Sequence, residues 1–134
     1  MQSTHLGSCL CQQIKFEIKG DFESFYLCHC KYCQKDTGSA HGANLFSTTA
    51  QLTWVSSEAK VKSFNLAGTR HSRSFCADCG SALPSQQGQL LVVPAGSLDS
   101  ELGKVPDAHL FCASQASWEK GLDLIKRFEK FPTA

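Results

Sequence analysis

Long apolar stretches are missing from this 134-residue chain, and so is any excess of one charge sign. Its best apolar run, residues 90–93, is far short of the roughly 20 residues that a bilayer-crossing helix needs. No membrane partner is therefore expected. Residues 1–7 carry neither a basic segment nor an apolar one, which argues against a secretory signal peptide and for a reducing, cytoplasmic setting. The formal net charge is +1, and no stripe of Lys or Arg is present to attract a phosphate backbone. No nucleic-acid partner is expected either. Repeats, low-complexity tracts and linkers are also lacking, so residues 1–134 read as a single domain, long enough to bury a core of its own.

What the chain does have is cysteine, eight of them. In a reducing compartment metal binding is a better reading of such a count than disulfides. Seven fall into three clusters: Cys9-Leu10-Cys11, Cys28-His29-Cys30-Lys31-Tyr32-Cys33 and Cys76-Ala77-Asp78-Cys79-Gly80. Two closely spaced pairs, Cys9/Cys11 and Cys76/Cys79, supply four thiolates, which close a tetrahedral structural zinc site. A glycine directly after Cys79 suits the positive φ that such a turn needs. The triple Cys28, Cys30 and Cys33 supplies only three. Its fourth position is either open to water or substrate, or closed by Cys112, His29 or an Asp, and spacing alone leaves both readings standing. Lys31 and Lys35 flank this cluster and can offset its negative charge or meet an anionic ligand.

The remaining pattern is that of a mainly β protein. Ile14, Phe16 and Ile18 alternate with Lys15, Glu17 and Lys19, the period of a half-buried strand. Further short strands are expected over 43–46, 52–55, 61–66, 70–75, 89–93 and 109–112. A short helix is expected over 32–36, stopped by Gly38. Gly, Pro, Asn and Asp recur about every ten residues, as in a sandwich or barrel-like β-domain. Leu122, Ile125 and Phe128 have helix-like spacing in the tail. Trp54 and Trp118 are read as core, His109 as a structural histidine, and His41 as part of a small-residue turn. Arg70 and Arg73, placed on one strand, are candidates for a carboxylate clamp.

Taken in order, Gly7-Ser8-Cys9-Leu10-Cys11, Cys28-His29-Cys30-x-x-Cys33-x₄-Gly38-Ser39 and Phe75-Cys76-x-x-Cys79-Gly80-Ser81 resemble the glutathione-dependent formaldehyde-activating enzyme family, which includes the centromere protein V-like domain. Val93-Pro94-Ala95-Gly96-Ser97-Leu98-Asp99, His109-Leu110-Phe111 and Ala116-Ser117-Trp118 are similar to that family's C-terminal half, so the resemblance spans nearly the whole chain. The run from Gln34 to Ser39 is most similar to a broad, short-chain branch of the family. The resemblance implies a single β-tent-like domain of antiparallel sheets built around two zinc ions per chain. It implies a structural zinc on Cys9, Cys11, Cys76 and Cys79, and a catalytic, open zinc on Cys28, Cys30 and Cys33. The implied activity is that of a carbon–sulfur lyase or synthase acting on a thiol adduct, as when glutathione and formaldehyde condense to S-hydroxymethylglutathione. The expected partner is a small thiol such as glutathione, with Lys35, Gly38 and Ser39 at the substrate mouth. The competing reading is a zinc-stabilised protein-binding module without catalysis.

Overall fold

The structure is a computed structural model that describes residues 3–132. It is mainly β, with eleven strands and one short α-helix among the described residues. Strands β1 (Thr4–Ser8), β2 (Lys15–Lys19) and β5 (Gln51–Ser56) form one sheet, in the order β1-β2-β5. Strands β6 (Val61–Asn65), β7 (Ser72–Cys76) and β8 (Ala82–Leu83) form a second, in that order. The largest sheet runs β11-β3-β4-β10-β9, from β3 (Ser24–Cys28), β4 (Gly42–Ser47), β9 (Ser85–Gln87), β10 (Leu90–Pro94) and β11 (Ala108–Leu110). Three separate sheets replace the sandwich or barrel that the turn spacing suggested. The pairing is antiparallel except between β11 and β3, which run parallel. That exception follows from a long return of the chain, which brings residues 108–110 alongside 26–28 in the same direction.

The alternation in β2 does what its period requires. Phe16 and Ile18 are buried while Lys15 and Lys19 face solvent, and Ile14 is buried just ahead of them. These side chains share one core with Leu45, Leu83, Leu91 and Val93. Burial of each such large aliphatic or aromatic group contributes roughly 1.5–3 kcal/mol, so the core ties all three sheets together.

Several local expectations need correction. Cys9 and Cys11 lie in the turn between β1 and β2, ahead of the expected strand. The strand expected over 70–75 starts only at Ser72, which leaves Arg70 in the preceding turn, on no strand face at all. Trp54 packs against the core, but Trp118 is 62% exposed. The tail holds one 3-10 turn, Leu122–Leu124, in place of a helix, because no neighbouring surface covers its apolar side chains.

Candidate metal centres and active site

The first cluster assembles where two turns meet. Cys9 and Cys11 come from the β1–β2 turn, Cys76 ends β7, and Cys79 lies in the turn before β8. All four sulfurs lie within 4.8 Å of one another, and the group could hold a metal ion. The Cys9–Cys11 and Cys11–Cys76 sulfur separations are 3.5 and 3.9 Å. Four thiolates each about 2.3 Å from one zinc would stand about 3.8 Å apart, so this donor set fits a tetrahedral ion. Gly80 takes φ +73 and its N–H donates to the Cys76 carbonyl, which folds the chain tightly after Cys79. The amide of Ile14 reaches Cys9 Sγ at 3.4 Å. A hydrogen bond from the Ser81 hydroxyl, aided by the Ser81 amide, lowers the Cys79 thiol to about 5. A thiol held that low is a thiolate at neutral pH, the form a metal takes. Ser81 also accepts from the Leu10 amide, joining the two turns directly.

The second cluster straddles the start of the helix. Cys28 ends β3, Cys30 caps helix α1 (Lys31–Thr37), and Cys33 sits in its first turn. The Cys33 N–H donates to Cys30 Sγ at 3.4 Å, so the cap that begins the helix is itself a candidate ligand. Gly38, in the left-handed conformation, ends the helix as the sequence predicts, one residue beyond the expected span. Burial pushes the thiols of Cys28 and Cys33 up, and nearby sulfurs push Cys33 further. Three crowded sulfurs that resist ionising together are a donor set suited to a cation, which would favour all three thiolates.

No fourth His, Cys, Asp or Glu joins this triple within 4.8 Å among the described residues. No Asp among the described residues closes it, and the two residues named from sequence as closing ligands are placed elsewhere. Cys112 is exposed in a 3-10 turn, neither core thiol nor fourth ligand. His29 is only 1% exposed, and both its ring nitrogens are engaged: Nδ1 with Glu119 at 2.9 Å and Nε2 with His109 Nδ1 at 2.7 Å.

That histidine network was not foreseen. The backbone strengthens it: the His29 N–H donates to the Leu110 carbonyl, and Gln34 donates to the carbonyls of both His29 and Ser114. The cysteine loop is thus latched to residues some 80–90 positions later in the chain. His41 stands beside His29, with ring centroids 5.2 Å apart, and its Nδ1 is buried without a partner. Burial, then His29 nearby, lowers the His41 pKa. His29, His41 and Glu119 also bring donor atoms within 4.8 Å, a third group of metal-binding residue types.

A cavity of about 310 Å³ opens against the second cluster. Cys33 and Gly42 stand side by side in its wall, and Asp36, Asn44, His71 and Arg73 bring polar groups to it. A Cβ at Gly42 would lie 3.6 Å from Cys33 Sγ and 3.3 Å from the Asn44 amide nitrogen, so the glycine keeps this approach open. Lys35, Gly38 and Ser39 are exposed towards the far end of α1 and do not line the cavity. Arg73 does, while Arg70 does not.

The family model for the glutathione-dependent formaldehyde-activating enzyme matches residues 4–114, which include all seven clustered cysteines. The chain belongs to this family. At family level, membership in the formaldehyde-activating enzymes carries a glutathione-dependent type of function and a thiol partner. No curated protein matches the chain. Among solved structures, a Rhodobacter sphaeroides protein superposes with a TM-score of 0.56 at 21% identity, over 75% of this chain and 97% of that one. That likeness speaks for the fold. No helix among the described residues is long and apolar enough to cross a membrane.

Proposed function

We propose that this protein is a cytoplasmic, zinc-dependent carbon–sulfur lyase or synthase that handles the adduct of a small thiol, glutathione being the first candidate, with formaldehyde. The observation that carries this reading is the three-sulfur cluster, with no fourth His, Cys, Asp or Glu donor among the described residues, whose Cys33 faces a cavity. Cys9, Cys11, Cys76 and Cys79 hold a structural zinc, and Cys28, Cys30 and Cys33 hold a second, so each chain carries two ions. The first cluster joins the β1-β2-β5 and β6-β7-β8 sheets and the second closes the end of β3 in the largest sheet, an arrangement that supports the β-tent reading of the fold.

When bound, the second ion favours the thiolate form of an entering thiol, a nucleophile at neutral pH. The chain's own residues do the rest. Gly42 leaves room beside Cys33 for the thiol, and the cavity walls hold it close to the aldehyde carbon, where proximity replaces a bimolecular encounter. Arg73 has no carboxylate within salt-bridge distance among the described residues and is free to meet a carboxylate of the thiol. Of the cations the sequence offers for this role, Lys31, Lys35, Arg70 and Arg73, we assign it to Arg73, which lines the cavity. In the proposed condensation the sulfur bonds to the carbonyl carbon, the C=O π pair moves to oxygen, and the oxygen gains a proton.

The test is exchange spectroscopy by NMR on glutathione and formaldehyde, with and without zinc-loaded protein. Acceleration by the protein that is lost in Cys30→Ser supports the reading. An exchange rate unaffected by the wild-type protein contradicts it. The competing reading, a zinc-stabilised protein-binding module, draws on the exposed apolar side chains of the tail, among them Leu124 at 85% and Phe131 at 90% exposure. It predicts no acceleration at all.

A further inference from the structure

We infer that His71, held by Asp36, is the proton-transfer residue of this site. The inference rests on the function proposed above and supplies a step which that reading leaves without a donor. His71 lies just ahead of β7, and Asp36 lies near the end of α1, 35 residues earlier. His71 Nε2 and Asp36 Oδ2 are 2.5 Å apart, and both side chains are about one-fifth exposed. Tyr32, one turn before Asp36, packs its ring against that of His71, with centroids 5.4 Å apart and the planes tilted by 48°. Two side chains of one helix thus fix the imidazole, and its Nδ1 makes no hydrogen bond among the described residues.

An imidazole oriented by a carboxylate on one nitrogen and free on the other is the arrangement that moves protons in hydrolases and related enzymes. Both members of the pair line the cavity that Cys33 faces. The other charged or titratable side chains on its walls are Cys33 and Arg73, with Tyr32 beside His71. His71 is neither a candidate metal ligand nor part of the His29–His109–Glu119 network.

The step balances without an added reactant. As the thiol enters, its proton passes to His71 Nδ1, leaving the sulfur as thiolate and the imidazole as a cation facing the Asp36 carboxylate. The sulfur then attacks the carbonyl carbon; the S–C bond forms and the π pair moves to oxygen. His71 Nδ1 returns the same proton to that oxygen and is neutral again. Thiol and aldehyde have become a hydroxymethyl thioether, and breakdown runs the same path in reverse.

Calorimetry of glutathione binding to the zinc-loaded protein at pH 7.5, in phosphate and in Tris, counts the protons passed to the buffer. If His71 keeps the thiol's proton, His71→Ala releases about one more proton per thiol bound than the wild type does. Exchange with formaldehyde in that variant falls by about 10²-fold or more, the span of general acid–base catalysis, and added imidazole restores part of it. His71→Gln, which can keep the contact to Asp36, should fold as the wild type does and show the same loss. Equal proton counts in wild type and variants, or undiminished exchange, overturn the role of His71 while leaving the proposed function in place. A wild-type protein that binds no glutathione overturns both.

Discussion

Replacing Cys76 with Ser tests whether the four-sulfur cluster is part of what folds the chain. Cys76 is fully buried at the end of β7, and its sulfur lies 3.9 Å from that of Cys11 in the β1–β2 turn. Serine is nearly the same size, so little volume is lost, and the buried hydroxyl would by itself cost about 1–3 kcal/mol. Loss of metal is the larger effect. Structural zinc sites bind with about 10–16 kcal/mol at neutral pH, and that binding energy is folding energy. A domain's net stability is only about 5–15 kcal/mol. If the variant forfeits even a third of the metal's contribution, it loses some 3–5 kcal/mol, enough to populate unfolded chains at room temperature in a typical domain. Metal analysis should find one ion fewer per chain, and urea unfolding should show a sharply lower midpoint. Cys112→Ser is the matched control, because Cys112 is exposed and outside both clusters. A Cys76→Ser protein with full metal content and an unfolding free energy within about 1 kcal/mol of wild type would refute the argument.

Cys30→Ser should likewise lose one ion but keep most of its stability, since Cys30 is half-buried at a helix cap, outside the core; metal analysis paired with thermal unfolding checks this, and a collapse equal to that of Cys76→Ser would contradict it. Gly7→Ala should destabilise by about 1–3 kcal/mol or more through overpacking, since its Cβ would lie 2.1 Å from Phe16 Cζ and 2.6 Å from the Ser97 carbonyl oxygen. Gly96→Ala, with open space around it, should be nearly silent in the same melting experiment. Glu23 is held at about 2 by the Thr48 hydroxyl and amide, so its folded pKa is depressed. Its contribution to stability is full above the ordinary glutamate value and is lost as pH falls towards 2; the gap between wild type and Glu23→Gln should therefore narrow from pH 5 downwards in acid-unfolding curves.

The clearest sequence signals were those carried by neighbours in the chain. Ile14, Phe16 and Ile18 announced β2 because each of their side chains enters the core. Gly38 marked the end of α1 because only a left-handed residue fits there, and the cysteine spacings alone defined both clusters. β1 was invisible because its inward residues are His5 and Gly7, which carry no apolar periodicity. β8 and β9, two and three residues long with Pro84 between them, are too short to show a period. Trp118 shows the opposite failure: an aromatic suits a core only where the fold brings a core to it. In the site, the pairs His29–Glu119, His29–His109 and His71–Asp36 join residues 35 to 90 positions apart, and no local pattern records such a meeting. Arg73 was legible as a candidate carboxylate clamp; its place on the wall of the cavity depends on β7, α1 and β4 lining one space, which no local pattern records.

The second metal centre decides the account, and a crystal structure of the zinc-loaded protein with glutathione, with anomalous data at the zinc edge, addresses it most directly. The account predicts two zinc peaks, one within Cys9, Cys11, Cys76 and Cys79, the other on Cys28, Cys30 and Cys33 with the glutathione sulfur as its fourth ligand. A second zinc closed by a protein side chain, or a triple that takes no zinc at all, would contradict it.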